Sequence, residues 1–343
     1  MKTALNILYV QSQGSYLHLE GDTIKIEVER ETKARIPLHH LEGITVFGNV
    51  LLSPFLIQRC GDDGRAVTWL TQYGRFKAQL RGKTTGNVLL RRAQHKTADD
   101  THASLSITQR ILAGKLQNAR NTLMRAARET TDSTDKNALQ EAALEQAYAI
   151  RQLRAFDTLE ALRGVEGTAA RVYFGAFTHM IRANREHFAM DERNKRPPRD
   201  PINALLSFTY ALLTSECVAA CEHVGLDPQI GFLHVMRPGR PSLALDVMEE
   251  YRSCFADRLV LTLINRQQIQ PKHFITREGG AVHLDDDGRK ILLVAYQERK
   301  KDEITHPFTG TTIPFGLVPH LQARLLARHL RGDIEHYPPF ILK

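Results

Sequence analysis

Four side chains in this sequence are of the types that hold a divalent cation and work on phosphate esters: Glu166, His234, Asp246 and Glu249. Carboxylate oxygens and a neutral imidazole nitrogen make a mixed O/N donor set. Lacking soft sulfur ligands, such a set favours Mg2+ or Mn2+ over Zn2+. A metal held this way lowers the pKa of an attacking hydroxyl or water and offsets charge growing on phosphoryl oxygens. Each residue also has a plain structural explanation. Glu166 stands in Leu162-Arg163-Gly164-Val165-Glu166-Gly167, where a carboxylate at a helix N-terminus is favoured by the dipole. The small residues around it also let a ligand approach closely. His234 closes Gly231-Phe232-Leu233-His234 before a loop with Arg237 and Arg240; a lone loop histidine is commonly just hydrogen-bonded. Asp246 and Glu249 are three residues apart and share a helix face, with Arg252 three further on. That is either a surface ladder worth ~0.3 kcal/mol per pair or a ligand with a supporting partner. Spacing alone does not join residues so distant in sequence.

The elements that must position these residues fall into two regions, an α+β organisation. Residues 1–95 read as a small β-rich N-terminal domain. Residues 23–29 alternate apolar and polar as a half-buried strand does, and the stretches 5–11, 15–21, 43–53 and 66–72 have strand-like composition. Gly14-Ser15 and Gly21-Asp22 supply turns, and the expectation is several short antiparallel strands with one helix over 51–59. Residues 96–343 read as a larger, all-helical catalytic domain. Leu105, Leu112, Leu116, Ala119, Leu123 and Ala126 recur at helical spacing, with Arg110, Lys115, Arg120 and Arg125 on the other face. A break at 132–136, capped by Ser133 or Asp135, leads into a helix over 136–162 that ends near Gly164. Glu166 then opens a helix over 166–181, Asp200-Pro201 starts an apolar helix to His223, and Pro241 starts a long helix to about Arg266. A short hairpin over 274–284, a basic helix over 289–301 and an amphipathic helix over 316–330 follow.

Bulk properties narrow the class. Lys plus Arg number 46 against 38 Asp plus Glu, a net charge of +8, which suits an anionic partner such as nucleic acid. Arg171, Lys195, Arg237 and Arg240 are the candidate phosphate contacts, each otherwise a solvated charge. Cys60, Cys217, Cys221 and Cys254 form no metal-ligand pattern and read as buried thiols of a reducing, cytoplasmic compartment. The first residues lack a signal-peptide pattern, and no stretch is expected to span a membrane. Asp285-Asp286-Asp287-Gly288 lacks the later ligands of a calcium loop and reads as a solvated turn. With no phosphate-binding glycine loop, neither ATP nor nicotinamide dependence is expected.

Four blocks in order carry a family resemblance: Glu166-Gly167 with Ala170-Arg171 and Tyr173-Phe174; Asp200-Pro201-Ile202-Asn203-Ala204-Leu205-Leu206-Ser207 with Tyr210; Gly231-Phe232-Leu233-His234; and Ser242-Leu243 with Asp246, Glu249 and Arg252. Along essentially its whole length the chain resembles the CRISPR-associated endonuclease/integrase, the first of the Cas proteins and the catalytic subunit of spacer acquisition in antiviral defence. His306-Pro307-Phe308 and Pro338-Pro339-Phe340 resemble the type I-C branch. The resemblance implies a homodimer formed through the N-terminal domain and a heterocomplex with the small second Cas protein. It implies metal ligation and catalysis by Glu166, His234 and Glu249, with Asp246 as a supporting or alternative ligand. Many members carry aspartate at the last position; glutamate here keeps the charge and moves the oxygens by about one C–C bond. The implied reaction is attack by the 3′-hydroxyl of a double-stranded spacer fragment on a phosphodiester of the CRISPR repeat; water in its place gives nuclease activity. A non-catalytic DNA-binding subunit and a hydrolase of small phosphoesters are the competing readings.

Overall fold

Period-two alternation becomes strands where it was expected. The computed structural model describes residues 6–80, 82, 87–194 and 197–342. The chain divides into two units: the stretch up to Thr85 with Tyr296–Lys301, and Gly86–Ala295 with Asp302–Lys343. In the first, strands β1 (Ile7–Val10), β2 (Ser15–Glu20), β3 (Thr23–Val28), β4 (Glu31–Pro37), β5 (Gly43–Phe47) and β6 (Val50–Leu52) precede helix α1 (Pro54–Asp62), followed by β7 (Ala66–Leu70) and β8 (Phe76–Leu80). Two four-stranded sheets result, ordered β1-β5-β7-β8 and β4-β3-β2-β6. Leu17, Ile24, Ile44, Val46, Leu56 and Val67 meet in one apolar core.

Two expectations are corrected in this unit. Not all strand pairs are antiparallel: β1 and β7 both run parallel to β5, and β6 runs parallel to β2. β5 is buried at every position. Strands covered on both faces read as unbroken apolar runs, which carry no sign of strand direction. The helix begins at Pro54 rather than 51, because residues 50–52 pair with β2 and Ser53 Oγ accepts from Leu56 N at 3.2 Å. A capping serine followed by proline is a stronger start signal than the apolar run before it.

The second unit holds α2 (Val88–Asp99), α3 (Thr101–Glu129), α4 (Ser133–Gln152), α5 (Leu159–Gly175), α6 (Pro201–His223), α7 (Ser242–Glu249) and α8 (Arg258–Asn265). Then come β9 (Phe274–Thr276), β10 (Val282–Leu284), α9 (Asp286–Lys301, which from Tyr296 onward belongs to the first unit), β11 (Glu303–Thr305), β12 (Thr312–Pro314) and α10 (Val318–Leu330). The hairpins β9-β10 and β11-β12 make the C-terminal part helical but not all-helical. α3 packs on α4, α5 and α7. The cap of α4 is Asp132, whose Oδ1 accepts from Asp135 N at 2.9 Å, rather than Ser133 or Asp135. Asp135 is instead buried in a pair with Arg185, two contacts at 2.8 Å, and with His179 at 2.7 Å. Asp285-Asp286-Asp287 is a helix start rather than a turn, with Asp285 Oδ1 accepting from Gly288 N at 2.7 Å.

α6 is long and apolar enough to cross a membrane by length and composition alone, but most of that stretch is buried inside the fold, as its all-round apolar sequence requires. Asp200 caps it, accepting from Asn203 N at 2.8 Å. The C-terminal chain returns to α3, where Asn118 Nδ2 donates to Glu250 O (2.8 Å) and Phe340 O (2.9 Å) and Asn118 Oδ1 accepts from Leu342 N (2.8 Å).

Candidate metal centre

Glu166 does not open a helix. α5 starts at Leu159, where Thr158 Oγ1 accepts from Ala161 N at 3.2 Å, and Glu166 sits two turns inside. Gly164 continues that helix instead of ending it. A Cβ at Gly164 or Gly167 would meet nothing within 4 Å, so the helix surface at these two positions is open. Each glycine weakens a helix interior by about 1 kcal/mol relative to alanine. The helix ends at Gly175, and residues 177–180 form a short 3-10 turn.

His234 is held from several sides. Buried Gln94 on α2 donates to Asp227 O and Ile230 O, both at 2.8 Å, and fixes the loop before it. Arg163 on α5 donates to Leu233 O at 2.7 Å. Asp246, fully buried on α7, accepts from the backbone nitrogens of Phe232 (2.6 Å), Leu233 (3.0 Å) and His234 (2.9 Å). Its Oδ1 also accepts from His234 Nδ1 at 2.6 Å. Gly231 permits this, because a Cβ there would stand 2.7 Å from Asp246 Oδ2. The carboxylate therefore fixes the imidazole tautomer and leaves Nε2 with a lone pair. Nε2 stands 3.8 Å from Glu249 Oε1.

The expected single helix over 241–266 is broken. α7 ends at Glu249, and a π-helical stretch, Arg252–Asp257, precedes α8. Such wide turns occur often at functional sites. Here the turn follows the candidate ligand directly. Glu249 is buried, and Arg252 Nη1 donates to its Oε1 at 2.7 Å, as the i, i+3 spacing allowed. Lys115 Nζ, from α3, ion-pairs with Glu249 Oε2 at 2.7 Å and with Glu166 Oε1. Burial alone would push the Glu249 carboxyl up; the Arg252 and Lys115 cations outweigh it and hold the group well below the usual carboxylate range.

Beyond the carboxylates lies a cavity of about 400 Å³ lined by Lys115, Glu166, Arg171, Arg193, Glu249 and Arg252. On its far wall Asp257 accepts from Tyr173 Oη at 2.9 Å and from Tyr210 Oη. Burial raises the Asp257 carboxyl to about 6, against those hydroxyls and Arg252. The Arg252 guanidinium lies 4.4 Å from the Tyr210 ring centre.

The structure thus gathers Glu166, His234, Asp246 and Glu249, although 83 residues separate Glu166 from Glu249. Among the described residues, no three histidine, cysteine, aspartate or glutamate groups already stand close enough to clasp a metal ion. The donor chemistry suits Mg2+ or Mn2+, but the Lys115 ammonium lies between the two glutamates. Of the candidate phosphate contacts, only Arg171 lines the cavity. Arg237 is exposed beyond it, Arg240 donates back to Val235 O at 3.4 Å, and Lys195 lies outside the described residues. Lys115, Arg193 and Asp257 were not singled out by sequence. Lys115 repeats with the arginines on the polar face of α3, and only the packing of α5 and α7 marks it apart. All four cysteines are buried free thiols, as expected.

Asp246→Asn replaces one acceptor with a donor and disturbs the His234 tautomer. Affinity for Mn2+ is expected to fall ~10–100-fold, measured by isothermal titration. An unchanged affinity would show that imidazole orientation is irrelevant to binding.

The family described as CRISPR associated protein Cas1 matches residues 8–298. The CRISPR-associated endonuclease Cas1 1 of Moorella thermoacetica is 51% identical over 343 residues, covering 100% of both chains. Among solved structures, a casposase bound to integration product aligns with a TM-score of 0.81 at 23% identity, over 96% of this chain and 92% of that one. A Cas6-RT-Cas1–Cas2 complex aligns with a TM-score of 0.82 at 20% identity, over 100% of this chain and 37% of that one.

Proposed function

From the premise that this chain belongs to the Cas1 family, we propose that it is a metal-dependent DNA endonuclease and integrase of CRISPR adaptation. The observation that carries the reading is the convergence of Glu166, His234 and Glu249 beside an arginine-lined cavity. The Moorella relative's name, an endonuclease, and the casposase bound to integration product support the same chemistry.

In this reading Glu166, His234 and Glu249 hold Mg2+ or Mn2+. An ion held there would supply Lewis acidity to the attacking hydroxyl and positive charge opposite the phosphoryl oxygens. The protein does the rest by placement. Asp246 keeps the proton on His234 Nδ1 and the lone pair on Nε2, so it positions the ligand rather than serving as one. Arg171, Arg193 and Arg252 supply positive charge to the wall against which a phosphate sits. The 3′-oxygen of a spacer fragment forms a bond to phosphorus in the repeat. The bond from that phosphorus to its own 3′-oxygen breaks, and the proton of the attacking hydroxyl is passed to solvent. The leaving 3′-oxygen takes up a proton in turn. Water as nucleophile gives cleavage.

The first unit serves homodimer formation and contact with the small second Cas protein. The presence of Cas2 in the aligned Cas6-RT-Cas1–Cas2 complex supports that partnership. The type I-C assignment rests on the resemblance of His306-Pro307-Phe308 and Pro338-Pro339-Phe340, and a cytoplasmic site of action on the four unpatterned cysteines, all buried and free.

One observation favours a second reading. Lys115 and Arg252 already balance Glu166 and Glu249, as they would in a subunit that binds DNA without catalysis. Cleavage of branched and linear duplex DNA in Mn2+ and in excess chelator separates the two. Products in Mn2+ that vanish with chelator are expected. Salt-sensitive DNA binding with no product in either condition would support the second reading. Turnover of a chromogenic phosphate monoester without DNA affinity would exclude both.

A further inference from the structure

The charges around Glu249 are balanced before any metal arrives. Two carboxylates, Glu166 and Glu249, face two cations, Lys115 and Arg252. The cations are not held alike. Arg252 is pinned: its guanidinium donates to Glu249 Oε1 at 2.7 Å and lies over the Tyr210 ring at 4.4 Å. Its own helical stretch fixes its backbone three residues beyond Glu249. Lys115 reaches the site from α3 on a flexible four-carbon stem, and among the described residues its recorded ion pairs are with the two glutamates. An ammonium bridging both carboxylates takes the oxygens that a divalent ion between them needs. Two cations cannot share those oxygens without strong repulsion. The cavity beside them gives the displaced side chain a place to go.

We propose that Lys115 is a built-in counter-ion of the Glu166–Glu249 pair that a divalent cation must displace, and that the displaced ammonium then positions the substrate phosphate in the adjoining cavity. The proposal rests on the reading that these glutamates hold a metal. It accounts for the absence of a ready clasp among the described residues. It also separates Lys115 from Arg252. Arg252 stays on Glu249 throughout, whereas Lys115 changes partner from carboxylate to phosphate. After the exchange the site carries net positive charge, which draws a phosphodiester in.

The test is calorimetric titration of the full chain, without DNA, with Mn2+. Lys115→Met keeps most of the stem and removes the charge; Lys115→Arg keeps the charge. Lys115→Met is expected to bind Mn2+ at least tenfold more tightly than wild type, while Lys115→Arg binds no more tightly. Without metal, Lys115→Met is expected to melt below wild type, with Mn2+ restoring more stability to it than to wild type. In wild type, acetic anhydride labelling of Lys115 read by mass spectrometry is expected to rise several-fold when Mn2+ is added, which needs no variant to fold. Mn2+ affinity in Lys115→Met equal to or weaker than wild type, or labelling of Lys115 unchanged by Mn2+, would overturn the proposal alone. Failure of wild type and Lys115→Met alike to bind Mn2+ would overturn it together with the functional reading.

Discussion

His234→Ala is expected to abolish metal-dependent DNA processing, lowering the cleavage rate by on the order of 10³-fold or more. Loss of a ligand removes several kcal/mol of charge stabilisation in the transition state, and each ~1.4 kcal/mol is tenfold in rate. The variant isolates chemistry from folding. Without the imidazole, Asp246 still accepts from the backbone nitrogens of Phe232, Leu233 and His234, so no buried carboxylate is stranded. The melting temperature should therefore move little. Rates of DNA cleavage at saturating Mn2+, with thermal melting of the same preparation, check both halves. Activity within tenfold of wild type would remove His234 from the metal-ligand set.

Arg252→Ala carries the largest expected effect on stability. Its removal leaves buried Glu249 with Lys115 as its remaining close cation and strips the guanidinium from the Tyr210 ring. Breaking one side of a buried ion pair costs about 3–5 kcal/mol, because the remaining charge is left in a poorly solvating site. Taking the lower figure, the second unit should melt roughly 6–12 °C lower. Arg252→Lys is expected to fall between, since it restores the charge but not the planar fork or the ring contact. Differential scanning calorimetry of the metal-free protein measures the shift. A change under ~2 °C would mean that solvent or Lys115 compensates Glu249 and that Arg252 is dispensable there.

How much of this was legible in the sequence depends on range. Local signals gave the β-rich start, the apolar helix after Asp200 and the hairpin near 274–284. Glycine misled in one place. Gly164 reads as a helix stop, yet α5 runs through it because the face it occupies is open and a distant cap, Thr158, sets the start. The break after Glu249 could not be read, since apolar residues continue at helical spacing through the π-helical stretch. Strand direction was hidden because β5 is buried at every position and so carries no alternation.

The site shows the same division. Glu166, His234, Asp246 and Glu249 were named from their types and flanking blocks, and the fold brings them together. The sequence left Asp246 between a supporting role and a ligand, and the role of Lys115 was not readable. Asp246 looks like a rival ligand until its hydrogen bonds to the 232–234 backbone are seen. Lys115 looks like one of several polar-face cations until α5 and α7 close over it. Both depend on contacts between residues 12 to 134 positions apart, which no local pattern encodes.

The most direct test of the account is strand joining. Wild-type protein, alone and with the small second Cas protein, is incubated with a labelled duplex fragment and a plasmid carrying the CRISPR repeat. The account predicts label covalently joined at the repeat boundary in Mn2+ or Mg2+, no joined product in excess chelator, and none from His234→Ala. Joined product that persists in chelator, or none with either metal and with the partner present, would contradict it.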